Sequence, residues 1–222
     1  MADVTVLYYS SNREHEAFES ATRAIWMRHA HARGLPIVSV TQQPVDVGTN
    51  IVVGDVGASG FNMFRQVLIG LEAITTPFVL SAEADCLYPP DYFAYVPTAH
   101  DRCFRNQNLY VLPRHRSYFF RKPGGATHAQ IVGRDYYLNR LRFLFTGAPQ
   151  WSVEEKSFPK ERTRHADVFP RDAIVLYDTL APVIQIKTRE SMRSYTASER
   201  IPIPQLPHWG TGRDIRRTYG TL

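Results

Sequence analysis

Two rhythms of apolar and polar positions run through the first third of the chain. VTVLYY, from Val4 to Tyr9, is β-branched and aromatic throughout and predicts a strand. From Glu14 the period changes. Ala17, Phe18, Ala21, Ile25 and Trp26 recur at helical spacing, which predicts a helix to about Ala32 with that face buried. Ser10-Ser11-Asn12 just ahead of it offers capping side chains, and Gly34 and Pro36 stop it. Pro36 to Val40 and Asn50 to Val53 read as strands. Phe61, Phe64, Leu68 and Leu71 predict a second helix from about Ser59 to Ala73, and Phe78 to Ser81 a fourth strand beyond the Thr76-Pro77 break.

This order of strand, helix, two strands, helix and strand is the alternation of an α/β fold built on a mostly parallel sheet. Ligands of such sheets bind beyond the carboxyl ends of the strands. Three polar clusters fall there: Ser10 to Arg13, Thr41-Gln42-Gln43, and Glu83-Ala84-Asp85. The second half is less regular. Strands are expected at Asn108 to Leu112, Ala129 to Val132, Ile174 to Leu176 and Val183 to Ile186, and helices at Asp135 to Phe145 and Arg213 to Tyr219. No repeat or linker divides the chain, so a single domain is expected, with residues 1–95 as one functional half and 96–222 as the other.

Composition narrows the class. Two cysteines, Cys86 and Cys103, are too few for a disulfide scaffold or a cysteine-built zinc site. No apolar run approaches the roughly 20 residues of a membrane span, and MADVTVLYYSS has neither the basic start nor the long apolar segment of a signal peptide. A cytoplasmic protein with reduced thiols and no membrane partner is expected. The net charge is +5, yet between Arg102 and Phe145 nine basic residues face Asp135 alone, a local +8. That asymmetry suggests an anionic partner or a solvated basic face.

The chemistry concentrates in PFVLSAEADCLYPPDYF, residues 77–93. Glu83 and Asp85 follow a buried strand. In extended backbone, residues i and i+2 point the same way, so two hard oxygen donors share one side and suit a divalent cation that itself holds a diphosphate. Two acids at that spacing are common by chance. Their context is more specific: the run GASGFNMFRQVLIGLEAITTPFVLSAEADCLYPPDYF resembles the core of GT-A glycosyltransferases, and looks most like the small family-2-like enzymes often carried by bacteriophages. The resemblance covers Val4 to Phe93 and returns at LPHWGTGRDI near the C-terminus.

The resemblance implies a Rossmann-like GT-A fold, a nucleotide-sugar donor (most often a UDP-sugar) and Mn²⁺ or Mg²⁺ as cofactor. Asp85 matches the metal-binding acid of the family motif. Glu83 stands where many members carry Asp, which implies contact with the metal through water or with the ribose. His208 matches a C-terminal histidine that completes the metal site in many members; its plain alternative is a surface turn. Tyr9, Ser10, Asn12 and Arg13 would face base and ribose, with Thr41 and Gln42 within reach of the base. Ser59, Asn62 and Arg65 would open the second helix toward the diphosphate, and Lys187 and Arg189, after a predicted strand in VIQIKTRESM, would neutralise it. Arg65 as a helix-surface charge, Asn62 as a cap and Lys187 as a strand end are the structural alternatives.

An inverting transferase needs a base for the acceptor hydroxyl. Glu154 and Glu155, in WSVEEKSF, loosely resemble the acidic position of related enzymes, and Asp135 is a third candidate, equally read as a helix-start acid. For the acceptor, Arg114, Arg116, Arg121 and Lys122 interleave with aromatic residues as in nucleic-acid-binding surfaces. With the phage resemblance this suggests a hydroxymethylated pyrimidine in duplex DNA, reached by flipping. A glycan or small-molecule acceptor, and a non-catalytic nucleotide-binding module, are the rivals. A nucleotidyltransferase ranks below them, because SSNREHE after the first strand lacks the glycines of a phosphate loop.

Overall fold

The computed structural model describes residues 3–154, 167–191 and 198–219. The elements run β1 (Val4–Ser10), α1 (Glu16–Ala32), β2 (Ile37–Thr41), β3 (Thr49–Val52), α2 (Gly60–Ala73), β4 (Phe78–Glu83), β5 (Cys86–Leu87), β6 (Cys103–Asn106), β7 (Leu109–Leu112), β8 (Phe120–Arg121), β9 (Gln130–Gly133), α3 (Arg134–Leu144), β10 (Ile174–Tyr177), β11 (Val183–Ile186), β12 (Gln205–Leu206), β13 (Gly210–Thr211) and α4 (Gly212–Tyr219).

The main sheet has seven strands in the order β10-β6-β9-β4-β1-β2-β3. All pairings are parallel except the two made by β9, so β9 alone runs against the other six. The expectation of a mostly parallel α/β sheet holds. Successive β1 residues serve opposite faces, as the two-residue period of a strand requires. Val6 and Tyr8 pack with Trp26 of α1, while Leu7 and Tyr9 pack with Leu68 of α2 and Leu141 of α3. A strand covered on both faces reads as a continuous apolar run, which is why β1 is so plain in the sequence. Gly70 lets α2 approach closely: a Cβ there would sit 2.3 Å from Leu7 Cδ1.

A second sheet, β5-β11-β7-β8, stands at the edge of the first. Its strand β5 begins one residue after Asp85 and pairs antiparallel with β11. Strands β5, β6 and β8 and the β12–β13 hairpin are not foreshadowed by the apolar pattern; all have four residues or fewer and carry no clear period. The buried face of α1 also differs from expectation. It carries Phe18 and Trp26 but also Glu19, Thr22 and Arg23, whereas Ala17 is exposed. Glu19 is buried because it accepts from the Tyr8 hydroxyl and pairs with Arg23 at 3.1 Å. Paired charges can occupy a core position that an apolar pattern would miss. The Ser10 to Asn12 cluster does not cap α1 either: the N-cap is His15, and Ser10 Oγ accepts from the Asn12 N–H instead.

Candidate functional site

The carboxyl ends of β1, β2 and β4 lie together at one edge of the sheet, because the three strands are parallel and adjacent. Glu83 is the last residue of β4 and Tyr9 its register partner on β1; the Tyr9 hydroxyl donates to Glu83 Oε1 at 2.8 Å. The Glu83 N–H donates to the Tyr88 hydroxyl, which in turn donates to the His128 carbonyl at 2.7 Å. Asp85 is fixed from the second sheet. Its carbonyl accepts from Ile186 N–H at 2.7 Å, its Oδ2 from Gln185 Nε2 at 3.2 Å, and its Oδ1 from the Cys86 thiol at 3.3 Å. The acids are thus held by strands rather than left on a free loop.

Their electrostatics follow from withdrawal from water. Burial, reinforced by the charge of Asp85, pushes Glu83 up to about 7. Burial raises Asp85 too, against the lowering charge of Lys187 and the Cys86 and Gln185 hydrogen bonds. Lys187 is only 5% exposed. It lies near enough to favour both carboxylates, yet among the described residues it forms no ion pair within 4.0 Å. Two half-buried carboxylates, both raised by partial withdrawal from water, facing one unpaired lysine leave the site short of positive charge. Hard oxygen donors in that condition suit Mn²⁺ or Mg²⁺.

Glu83, Cys86 and His128 also place ligand atoms within 4.8 Å of one another. That group is of another kind: burial keeps the Cys86 thiol protonated and pushes His128 down, and neither residue lines the pocket at the acids.

A small pocket of about 100 Å³ opens beside Glu83 and Asp85. Ser10, Ser11 and Arg13 form one wall, Gly57, Ala58 and Ser59 at the start of α2 another, and Glu14, Glu190 and Ser191 the rim. Ser59 is the N-cap of α2, accepting from Asn62 N–H at 3.0 Å. Gly57 has φ +77°, a left-handed backbone, and a Cβ there would meet Val153 at 2.4 Å. Glu14 accepts from Thr188 Oγ1 at 2.8 Å, and burial pushes it up to about 7, with Asp85, Glu19 and Glu190 adding to the rise. A second, wider and open cavity of about 1200 Å³ adjoins through Glu14 and Glu190.

No family model matches the chain, and no curated protein matches its sequence. Solved structures do match in shape. A glycosyltransferase involved in glycosylation of the major capsid of PBCV-1 superposes with TM-score 0.53 and 13% identity, over 87% of this chain and 98% of that one. A mutant of Drosophila β1,4-galactosyltransferase 7, in complex with manganese, UDP-Gal and xylobiose, superposes with TM-score 0.51 and 10% identity, over 90% of this chain and 77% of that one.

The fold is one that these glycosyltransferases share.

On this shared fold the expected residues separate into three groups. Ser10, Arg13, Ser59, Glu83 and Asp85 meet at one pocket, and Tyr9 stands in its wall. Tyr9 is buried, however, and its hydroxyl is occupied with Glu83, so it positions the acid.

A second group builds the frame. Asn12, at φ +52°, accepts from the N–H groups of Gln42 and Gln43, each at 2.9 Å, tying the end of β1 to that of β2. Thr41 donates to the Gln43 carbonyl and accepts from Asn50. Gln42 donates to the Gly57 carbonyl at 2.8 Å. Asn62 donates to the Val56 and Gly57 carbonyls and accepts from Ser152 N–H. These polar groups hydrogen-bond within the protein, joining loop to loop, and do not line the pocket at Asp85. Arg65 points away from the diphosphate side: its guanidinium lies 3.8 Å from the Phe145 ring and donates to the Pro149 carbonyl. Lys187 is near the acids but not in the pocket wall.

The third group lies elsewhere. His208 sits in the β12–β13 turn at φ +70°, edge-on to Trp209, and lines a separate hollow with Arg28 and His29 of α1. The hairpin folds onto the outer face of α1, so His208 does not join Asp85. Asp135 is exposed and bonded to Arg134. It follows the reversed strand β9, whose last residue Gly133 is in register with Phe78 at the start of β4, so it sits at the opposite edge of the sheet from the acids. Glu154 is exposed on a segment that passes the pocket, where the Ser152 carbonyl accepts from Ser59 Oγ at 2.6 Å. Glu155 lies outside the described residues. Arg114 and Arg116 line the wider cavity. Arg121 pairs with Glu199 at 3.2 Å, and Lys122 continues the chain beyond β8.

Glu14, Gln66, Thr188, Glu190 and Ser191 are among the residues of the site that escape sequence reasoning. Gln66 joins β1 to β2 by donating to the Ser10 and Val40 carbonyls. A signal exists for Glu14, an acid just past the end of the first strand. Thr188 is brought to it across 174 positions of chain, which no local pattern displays.

Proposed function

We propose that the chain is a metal-dependent glycosyltransferase, moving a sugar from a nucleotide-sugar, preferably a UDP-sugar, to a hydroxyl acceptor. One observation carries the reading: two half-buried carboxylates, Glu83 and Asp85, open into the pocket at the strand ends of a fold shared with glycosyltransferases, with too little positive charge of their own around them.

Asp85 and Glu83 would hold Mn²⁺ or Mg²⁺, and the bound ion would neutralise charge on the departing diphosphate. The protein supplies the rest. The N-cap Ser59 and the preceding Gly57 and Ala58 bring the positive end of the α2 dipole to the pocket, favouring phosphate. Arg13 and Ser10 stand across the pocket from it. Tyr9 and Gln185 hold the two acids in place, and Lys187 adds a positive charge behind them.

The base in this reading is Glu14. It lies in the wall shared by both cavities, and a carboxylate with affinity for protons near pH 7 can take one from a hydroxyl at neutral pH. Glu154 is the competing candidate, since its segment passes Ser59. A hydroxymethylated pyrimidine of duplex DNA stays among the acceptors to try. Its footing is Arg114 and Arg116 alone, because Arg121 is already paired with Glu199.

The test is release of UDP from UDP-sugars with and without Mn²⁺, since transferases leak donor to water. Metal-dependent release from at least one UDP-sugar is the expected result. No release from any of them, with no thermal shift by UDP, would leave a binding module or a non-enzymatic protein.

A further inference from the structure

The wider cavity is built from three separate stretches of chain. The turn after β7 brings Arg114 and Arg116, the segment after β11 brings Arg189, and α4 brings Arg213, Arg216 and Arg217. Glu14 and Glu190 are its acids. Some of the charge serves the fold. Arg216 donates to the carbonyls of Pro113 and Arg116, clamping α4 onto the turn, and Arg217 pairs with Asp214 at 3.1 Å. Arg114, Arg189 and Arg213 have no such role. Among the described residues no carboxylate lies within 4.0 Å of any of the three.

Gathering like charges in a concavity works against the folded state, and clefts lined by one sign concentrate the opposite ion. A solvated basic face would spread its arginines, whereas here three segments turn theirs into one space. Guanidinium forks match phosphate oxygens in geometry as well as charge. The shape also selects. A duplex offers phosphates along a convex rod, whereas these arginines line a concavity that also takes in His15 and Phe18 and shares Glu14 and Glu190 with the pocket at Asp85. A small phosphorylated compound fits that shape better than duplex DNA.

We propose that this cavity binds a phosphate-bearing acceptor, whose hydroxyl reaches the donor pocket past Glu14. The inference rests on the transferase reading and specifies its acceptor. The acceptor oxygen bonds to the anomeric carbon as that carbon's bond to the diphosphate oxygen breaks. The electron pair leaves with the nucleoside diphosphate, and the hydroxyl proton passes to Glu14.

The test uses the full chain and inorganic phosphate as probe, followed by thermal shift against chloride at equal ionic strength. Phosphate should stabilise the wild type, and Arg114→Ala/Arg213→Ala should weaken its apparent affinity at least about tenfold, as expected for lost charged hydrogen bonds. The shift given by UDP with Mg²⁺ should persist in that variant, which also reports that it folds; Arg189→Ala supplies an independent variant. No shift with phosphate, or a shift undiminished in both variants, overturns the proposal. So does a duplex oligonucleotide that binds with a steep salt dependence removed by the same substitutions, since that would give the cavity to nucleic acid. Metal-dependent UDP release without phosphate binding sinks this inference alone, whereas phosphate binding without UDP release sinks the transferase reading and leaves the cavity an anion site.

Discussion

The two adjoining cavities hold charge in opposite ways. In the pocket at Asp85 the carboxylates are few, withdrawn from water and fixed by strands β1, β4 and β11. In the wider cavity the arginines are many, mostly solvated and carried on turns and a short terminal helix. A buried charge is costly unless a partner arrives, so the acidic pocket is poised to take up a proton or a cation. An exposed charge costs little and attracts at longer range, but salt screens it. Substitutions at the acids should therefore act steeply and locally, and those at the arginines mildly and in a salt-dependent way.

The sharpest contrast comes from Asp85→Asn. Losing the ion's charge stabilisation is worth several kcal/mol, so UDP release should fall roughly a thousandfold or more. Stability should change little, because the carboxylate packs no core. Steady-state release and a melting curve on the same sample check both halves. Next comes Glu14→Gln, expected to lower transfer about a hundredfold, as for loss of a general base. In the wild type, transfer should rise with pH through about 7, since burial keeps Glu14 protonated below that and only the ionised form accepts a proton. Measured at saturating Mn²⁺, which holds Glu83 and Asp85 ionised, the variant should lose that rise. If the rise survives in Glu14→Gln and disappears in Glu154→Gln, the base lies on the other flank of the pocket.

The same contrast explains what can be read from the sequence. The donor side is legible because buried parallel strands write themselves as apolar runs and because Glu83 and Asp85 follow one directly. Which polar residues would face the pocket is not legible. Asn12, Gln42 and Asn62 have the chemistry of nucleotide ligands, but each is consumed in joining loop to loop, a matter of contacts 5 to 90 positions apart. Asp135 is misplaced by the sequence for a topological reason: a single reversed strand sends the following helix to the far edge, and nothing in the strand's own residues announces its direction. The arginine cavity is assembled from three segments, of which the sequence offers Arg114 and Arg116 as part of a basic run and Arg189 as a strand-end charge, with nothing to show that they meet.

Smaller effects refine the comparison. Tyr9→Phe removes the hydrogen bond to Glu83 Oε1 without touching the pocket floor. Loss of such a supporting contact should weaken Mn²⁺ binding about tenfold, measured by titrating metal-dependent UDP release. An unchanged metal affinity would mean that Glu83 takes no part in holding the ion. The mildest expected effect is that of salt. Raising NaCl from about 50 to about 300 mM should weaken phosphate binding in the arginine cavity several-fold through screening, while UDP binding in the presence of metal, read by thermal shift, moves less. Equal salt sensitivity at both sites would remove the distinction between a desolvated and a solvated cavity.

The most direct test is a crystal structure with UDP and Mn²⁺, with the ion located by its anomalous signal. The account predicts one manganese bound by Asp85, with the diphosphate on it and turned toward the start of α2. UDP ordered in the pocket with its diphosphate on Lys187 or Arg13, and no ion at Asp85, would contradict it.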